Sequence, residues 1–208
     1  VTAATATQTT AERSSTAVGR VARSATEIAQ PPLVLSLLLI LASLLSDQWV
    51  VSIWSGIIAA LCICLVPFAV VLMLAKKGQL TDHHVGDKRQ RRPVMLWTLG
   101  SSLLGCAILG VIGAPQPVWG LIGGILCGIV ALILVSPVWK ISGHAMTLGG
   151  ATVSAVLMFG WLGLPFVVAA PLVCWSRVYL RDHSAPQVIA GFITGVVAFG
   201  ASYTLIVG

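Results

Sequence analysis

The stretch SRVYLRDHSAPQ, Ser176 to Gln187, separates two apolar segments, Phe166 to Leu180 and Gln187 to Gly208. It places two arginines, an aspartate and a histidine within twelve residues of a chain that is 9% charged and 57% hydrophobic. Soluble domains carry roughly a quarter charged residues. The flanking apolar runs are continuous rather than alternating, which argues against a membrane β-barrel. In lipid, continuous runs satisfy their backbone groups only as helices. The fold class read here is all-α, a polytopic transmembrane helical bundle of about six to seven spans.

Working outward from that loop, polar steps and Pro or Gly turns divide the chain. Spans are expected at Pro31 to Leu45, Trp49 to Ala75, Val94 to Ile112, Val118 to Trp139, His144 to Phe159, Phe166 to Leu180 and Gln187 to Gly208. The first is short for a bilayer. Residues 1–30, rich in Thr, Ala and Ser, read as a flexible cytoplasmic tail, with a short interfacial amphipathic helix over Val18 to Ala29. Residues 31–208 read as one transmembrane domain, its first span uncleaved. Gly120 with Gly124, and Gly191 with Gly195, have the four-residue spacing that lets helices approach closely.

Counting spans puts three polar clusters on one membrane face: residues 76–93, 140–144 and 176–187. All twelve Lys and Arg residues fall on that face, together with the N-terminal segment. The positive-inside rule makes it cytoplasmic, in a multi-pass protein of the cell membrane. Cations confined to juxtamembrane loops also explain the net charge of +6 without nucleic acid as a partner. The implied contacts are membrane lipids. The five cysteines lie inside apolar segments and read as small hydrophobes, not as a disulfide set or a zinc site.

All four histidines, His83, His84, His144 and His183, fall on the same face. Their clustering with Lys88, Arg92, Lys140 and Arg177 suits an anion site, because phosphate needs fixed N–H donors and positive charge. A neutral histidine can attack phosphorus, and a second, protonated one can supply the leaving oxygen with a proton.

Ser142-Gly143-His144 resembles the second motif of the type 2 phosphatidic acid phosphatase superfamily, the lipid phosphate phosphatases. Ser176-Arg177, five residues, then His183 resembles the third. The resemblance covers roughly residues 76–208. It implies a phosphohistidine nucleophile at His183 and a general acid at His144. It implies phosphoryl-oxygen ligands in Arg177, Ser142 and the Gly143 amide, a lipid phosphate as substrate, and no metal or other cofactor. Where the family has an aspartate to orient the nucleophile, this chain has Gln187. The Tyr179-Leu180-x-x-His183-x-x-x-Gln187-Val188 pattern is similar to dolichyl-diphosphatase-like members and points toward polyprenyl phosphates.

The first motif, Lys, six residues, Arg-Pro, is not met. Counting back from Arg92 reaches Val85, while Lys88 lies four residues before Arg92, on the same face of a helix. Two apolar spans also separate it from the second motif. Lys88, Arg92 and Lys140 therefore remain competing phosphate ligands. Asp182 and Asp87 are the candidates for a compensating acid. Asp82, His83 and Asp87 read as a solvated loop, as groups behind the phosphate site, or as ligands of a divalent ion. The function expected is a membrane lipid phosphatase acting on an isoprenoid or glycerolipid phosphate or diphosphate. The alternative is a non-catalytic lipid-phosphate binder or carrier. A transporter is a third reading, opposed by the absence of a mid-span charge and of an evident inverted repeat.

Overall fold

The computed structural model describes residues 16–77 and 88–208, with the backbone alone over 88–92. Among the described residues the chain is all-α. The helices are α1 (Ala17–Ile28), α2 (Pro31–Ser43), α3 (Trp49–Ala59), α4 (Val66–Lys76), α5 (Lys88–Ile112), α6 (Gln116–Val135), α7 (Gly143–Phe159), α8 (Leu164–Tyr179) and α9 (Ala185–Val207). Five stretches are long and apolar enough to cross a membrane, and six if the bent pair α1–α2 is one. One of them, Gly143–Tyr179, folds back on itself. Gly160 has a φ of +58°, and Thr152 Oγ1 donates to the Phe166 carbonyl at 3.2 Å. The result is a hairpin of two passes. The molecule is a membrane helical bundle, and six to seven passes match the expectation.

Proline opens several helices in their first turn, where its missing N–H costs nothing: Pro31 and Pro32 in α2, Pro117 in α6, Pro165 in α8 and Pro186 in α9. Between α3 and α4 the span widens into a π-helical turn, Ala60–Leu65, in which Val66 N–H bonds the Leu61 carbonyl. In that register the Cys62 carbonyl would receive its bond from residue 67. Residue 67 is proline, which has no N–H. Ser101 Oγ of α5 donates to the Cys62 carbonyl instead, at 2.9 Å. A sequence break is thus repaired by a neighbouring helix.

The tightest packing lies among α6, α7 and α9. A Cβ on Gly191 would sit 2.5 Å from the Ser142 carbonyl oxygen, and one on Gly195 would overlap the Met146 carbonyl. A Cβ on Gly124 would stand 2.6 Å from the Phe199 ring. The small-residue spacing read from sequence therefore brings α9 against both neighbours. Phe199, 2% exposed, fills the centre of the main core with Leu121, Ile122 and Ala151.

The N-terminal part follows the expected elements closely. The first span is only 13 residues in α2, about 20 Å long, and it meets α1 at a 47° bend. The amphipathic helix expected over Val18 to Ala29 is α1, and it packs on α8. Residues 1–15 lie outside the described part.

Candidate active site

The two polar steps near residues 140 and 180 are pinned together by backbone. The α8 helix ends in a Schellman motif: Arg181 N–H bonds the Val178 carbonyl at 3.0 Å and Asp182 N–H bonds the Arg177 carbonyl at 3.1 Å. Its left-handed position is Arg181, at φ +59°. His183 N–H also bonds the Arg177 carbonyl, at 3.2 Å, so one carbonyl fixes the start of the His183 backbone. Ser184 then caps α9 in a reciprocal capping box, with Gln187 Oε1 accepting from Ser184 N–H at 3.1 Å. The other step docks onto this one. Ser142 N–H bonds the Gln187 carbonyl at 3.1 Å, and Lys140 Nζ donates to the Asp182 carbonyl at 3.0 Å.

These elements wall one end of a cavity of about 760 Å³. Lys140, Gly143, His144, Arg177, Asp182 and His183 line it here. Four polar residues near the N-terminus, Arg23, Thr26, Glu27 and Gln30, also line it, and most of the remaining wall is apolar, past Cys64, Phe68 and Val71 on one side and Ile125, Ile129 and Leu132 on the other. His144 is 7% exposed, and Arg177, at 3%, forms an ion pair with Asp182 at 3.0 Å. A guanidinium buried to that degree needs such compensation.

His183 is neutral over the physiological range. Burial pushes its pKa down to about 4, and the nearby charges of Lys140 and Arg177 push the same way. The Lys140 carbonyl and the Gln187 side chain oppose this more weakly. Its Nδ1 is buried and makes no hydrogen bond among the described residues.

The structure brings together His144, His183, Arg177, Lys140, Gly143 and Asp182. Ser142, fully buried, does not line the cavity; its hydroxyl accepts from Ala145 N–H at 3.4 Å as the N-cap of α7. Gln187 is likewise off the lining, and its amide oxygen serves the α9 cap. Lys88 and Arg92 fall in the first turns of α5, but their side chains lie outside the described residues, as do Asp82, His83, His84 and Asp87. Among the described residues no group of three His, Cys, Asp or Glu side chains is placed to hold a metal ion.

Sequence reasoning missed the contribution of α1. Arg23, Thr26, Glu27 and Gln30 all line the cavity. The i, i+3, i+4 spacing of Arg23, Thr26 and Glu27 was the available signal, a polar stripe on an amphipathic helix. The chain matches no protein-family model, no curated protein and no solved structure.

Proposed function

We propose that this protein is an integral membrane lipid phosphatase, acting on an isoprenoid or glycerolipid phosphate or diphosphate through a phosphohistidine intermediate. One observation carries the reading. Two histidines and a buried arginine from separate elements line one cavity together with a largely apolar wall between helices. That division suits a phosphate headgroup with a hydrocarbon tail.

In this mechanism Arg177 and Lys140 hold the phosphoryl oxygens, with the Gly143 amide at the start of α7. A ring nitrogen of neutral His183 attacks phosphorus. The P–O bond to the lipid breaks, and protonated His144 gives its proton to the departing alcohol oxygen. His144, now neutral, takes a proton from water as that water attacks the phosphohistidine. Inorganic phosphate leaves and both histidines return to their starting states. The lowered pKa of His183 supports its role, since only the unprotonated ring is a nucleophile. The clustering of cations on one face supports a cytoplasmic site in the cell membrane.

A second reading, a lipid-phosphate binder or carrier without turnover, is favoured by one feature. The Gln187 amide oxygen is engaged by Ser184 N–H, and glutamine offers His183 no charge. The deciding experiment is phosphate release by purified protein with EDTA present, across prenyl phosphates and diphosphates and glycerolipid phosphates. Metal-independent release is expected, falling by about 10³-fold or more in His183→Ala. Wild-type release no greater than the mutant's on every lipid would leave the binder reading in its place.

A further inference from the structure

The cavity-lining polar residues of α1 are Arg23, Thr26 and Glu27, followed by Gln30 at the N-cap of α2. Other positions of the helix are divided between two different surroundings. Gly19 and Ala22 are buried, while Val18, Val21 and Ile28 are 49, 54 and 77% exposed. A helix resting on a bilayer turns its polar stripe to water and its apolar residues to lipid. Here those polar residues line the cavity that holds His144 and His183, with Thr26 buried and Arg23 and Glu27 still exposed to solvent.

The helix is fastened at a particular point. Thr26 Oγ1 lies 2.9 Å from Ser176 Oγ, and both residues are buried. Ser176 Oγ donates its one proton to the Val173 carbonyl at 2.7 Å. Thr26 must therefore be the donor to Ser176. Ser176 directly precedes Arg177, so α1 is tied one residue away from the buried guanidinium.

Charge completes the argument. Among the described cavity residues, histidines apart, Glu27 and Asp182 balance Lys140 and Arg177. Arg23 supplies the net positive charge, and it has no ion-pair partner among the described residues. Without Arg23 the formal charges of those described residues would sum to zero, and with it they sum to +1. Arginine presents a planar fork that can grip two phosphate oxygens at once.

We propose that Arg23 is a third phosphate-binding cation of this site, carried by α1 and held in place by the Thr26–Ser176 hydrogen bond. The proposal rests on the phosphatase reading for the identity of the anion. The shared ligand chemistry is a phosphate group, borne by a lipid headgroup or free as inorganic phosphate. Glu27, whose carboxylate accepts from Gln30 Nε2 at 3.1 Å, completes the stripe but is not assigned to the phosphate.

The test is calorimetric titration of the full chain in detergent with inorganic phosphate, beside KM and kcat for a lipid phosphate. Arg23→Gln is expected to weaken phosphate binding about tenfold and to raise KM in parallel. Arg23→Lys should recover part of the loss, and Thr26→Val should shift affinity the same way. Arg20→Gln is the control, because Arg20 lines a shallow groove with Leu172 outside the cavity; its affinity should match wild type. Phosphate affinity in Arg23→Gln within twofold of wild type overturns the proposal, even if the lipid KM rises. So does an equal loss in Arg20→Gln, or a wild type that binds no phosphate. A wild type that binds phosphate with Arg23-dependent affinity, yet releases none from any lipid, sinks the phosphatase reading and leaves Arg23 its role. An active wild type with unchanged affinity in Arg23→Gln does the reverse.

Discussion

The α6–α7–α9 side of the bundle and the α3–α5 side are built on opposite plans. On the first, backbones nearly touch. Gly191 and Gly195 bring α9 against the carbonyls of Ser142 and Met146, and Gly124 leaves room only for Phe199. On the second, a π-helical turn and a proline interrupt the span, and the cavity opens beside Cys64, Phe68 and Val71. The tight side carries His144 and His183 at its polar end, so their separation is set by helix crossings and the Ser142–Gln187 backbone bond. The open side offers apolar wall with fewer constraints on shape. On the phosphatase reading proposed above, the reacting groups sit in the close-packed half, where geometry is held most tightly, and a hydrocarbon tail would lie in the other.

The strongest way to break this contrast is Gly195→Val. Its branched side chain would overlap the Met146 carbonyl, a backbone group that cannot rotate away. A loss of about 3 kcal/mol or more is expected, read as a lower melting temperature or as failure to purify. Gly110→Val, with nothing within 4 Å of a new Cβ, should change stability by less than about 1 kcal/mol. Comparable losses at both positions would erase the distinction.

On the open side, Phe68→Ala should leave the fold intact and act on the tail. KM for a long-chain lipid phosphate is expected to rise about tenfold, with a short-chain analogue little affected. Equal changes for both substrates would remove Phe68 from the tail path.

The smallest expected effect concerns charge at the polar end. Folded His183 titrates at about 4, below the ordinary 6.5, first through burial and then through Lys140 and Arg177. A lowered histidine pKa means the folded state resists protonation. Its contribution to stability is complete above about pH 6.5 and is lost as the pH falls toward 4. Lys140→Met removes one repelling cation and should raise the titration midpoint by a fraction of the whole shift, since burial persists. NMR of histidine-labelled protein, with the signal assigned by its loss in His183→Ala, measures this directly. A midpoint unmoved or lowered would mean Lys140 does not act on the ring.

Span positions were legible because hydropathy and Pro or Gly turns mark them independently of tertiary packing, as at Pro115 before α6 and Gly160 after α7. The convergence of His144 with His183 was legible through span parity alone. Ser142 and Gln187 were harder. Both sit where motif logic assigns them to phosphate or imidazole and both also occupy helix N-terminal positions; Ser142 serves the Ala145 amide instead of the cavity, while Gln187 accepts from Ser184 N–H and also acts on His183 through its side chain. The role of α1 was hidden for a different reason. An amphipathic pattern says which face is polar, but not whether that face meets bulk water or a protein cavity. Only the buried Thr26–Ser176 contact decides this. The π-helical turn left no hydrophobic signature, since every residue from Ala60 to Leu65 is apolar.

Arg181 stands at the left-handed position of the α8 terminus, where glycine is the common occupant. A side chain with a Cβ costs roughly 1 kcal/mol in that conformation, so folding alone would prefer a smaller residue. Cations in a loop between two spans bias the side of a bilayer on which that loop stays during insertion. Arg177 and Arg181 are the cations at this turn, and the stretch holds no lysine. The left-handed backbone at residue 181 thus bears a charge that glycine in the same place would not supply to that sorting.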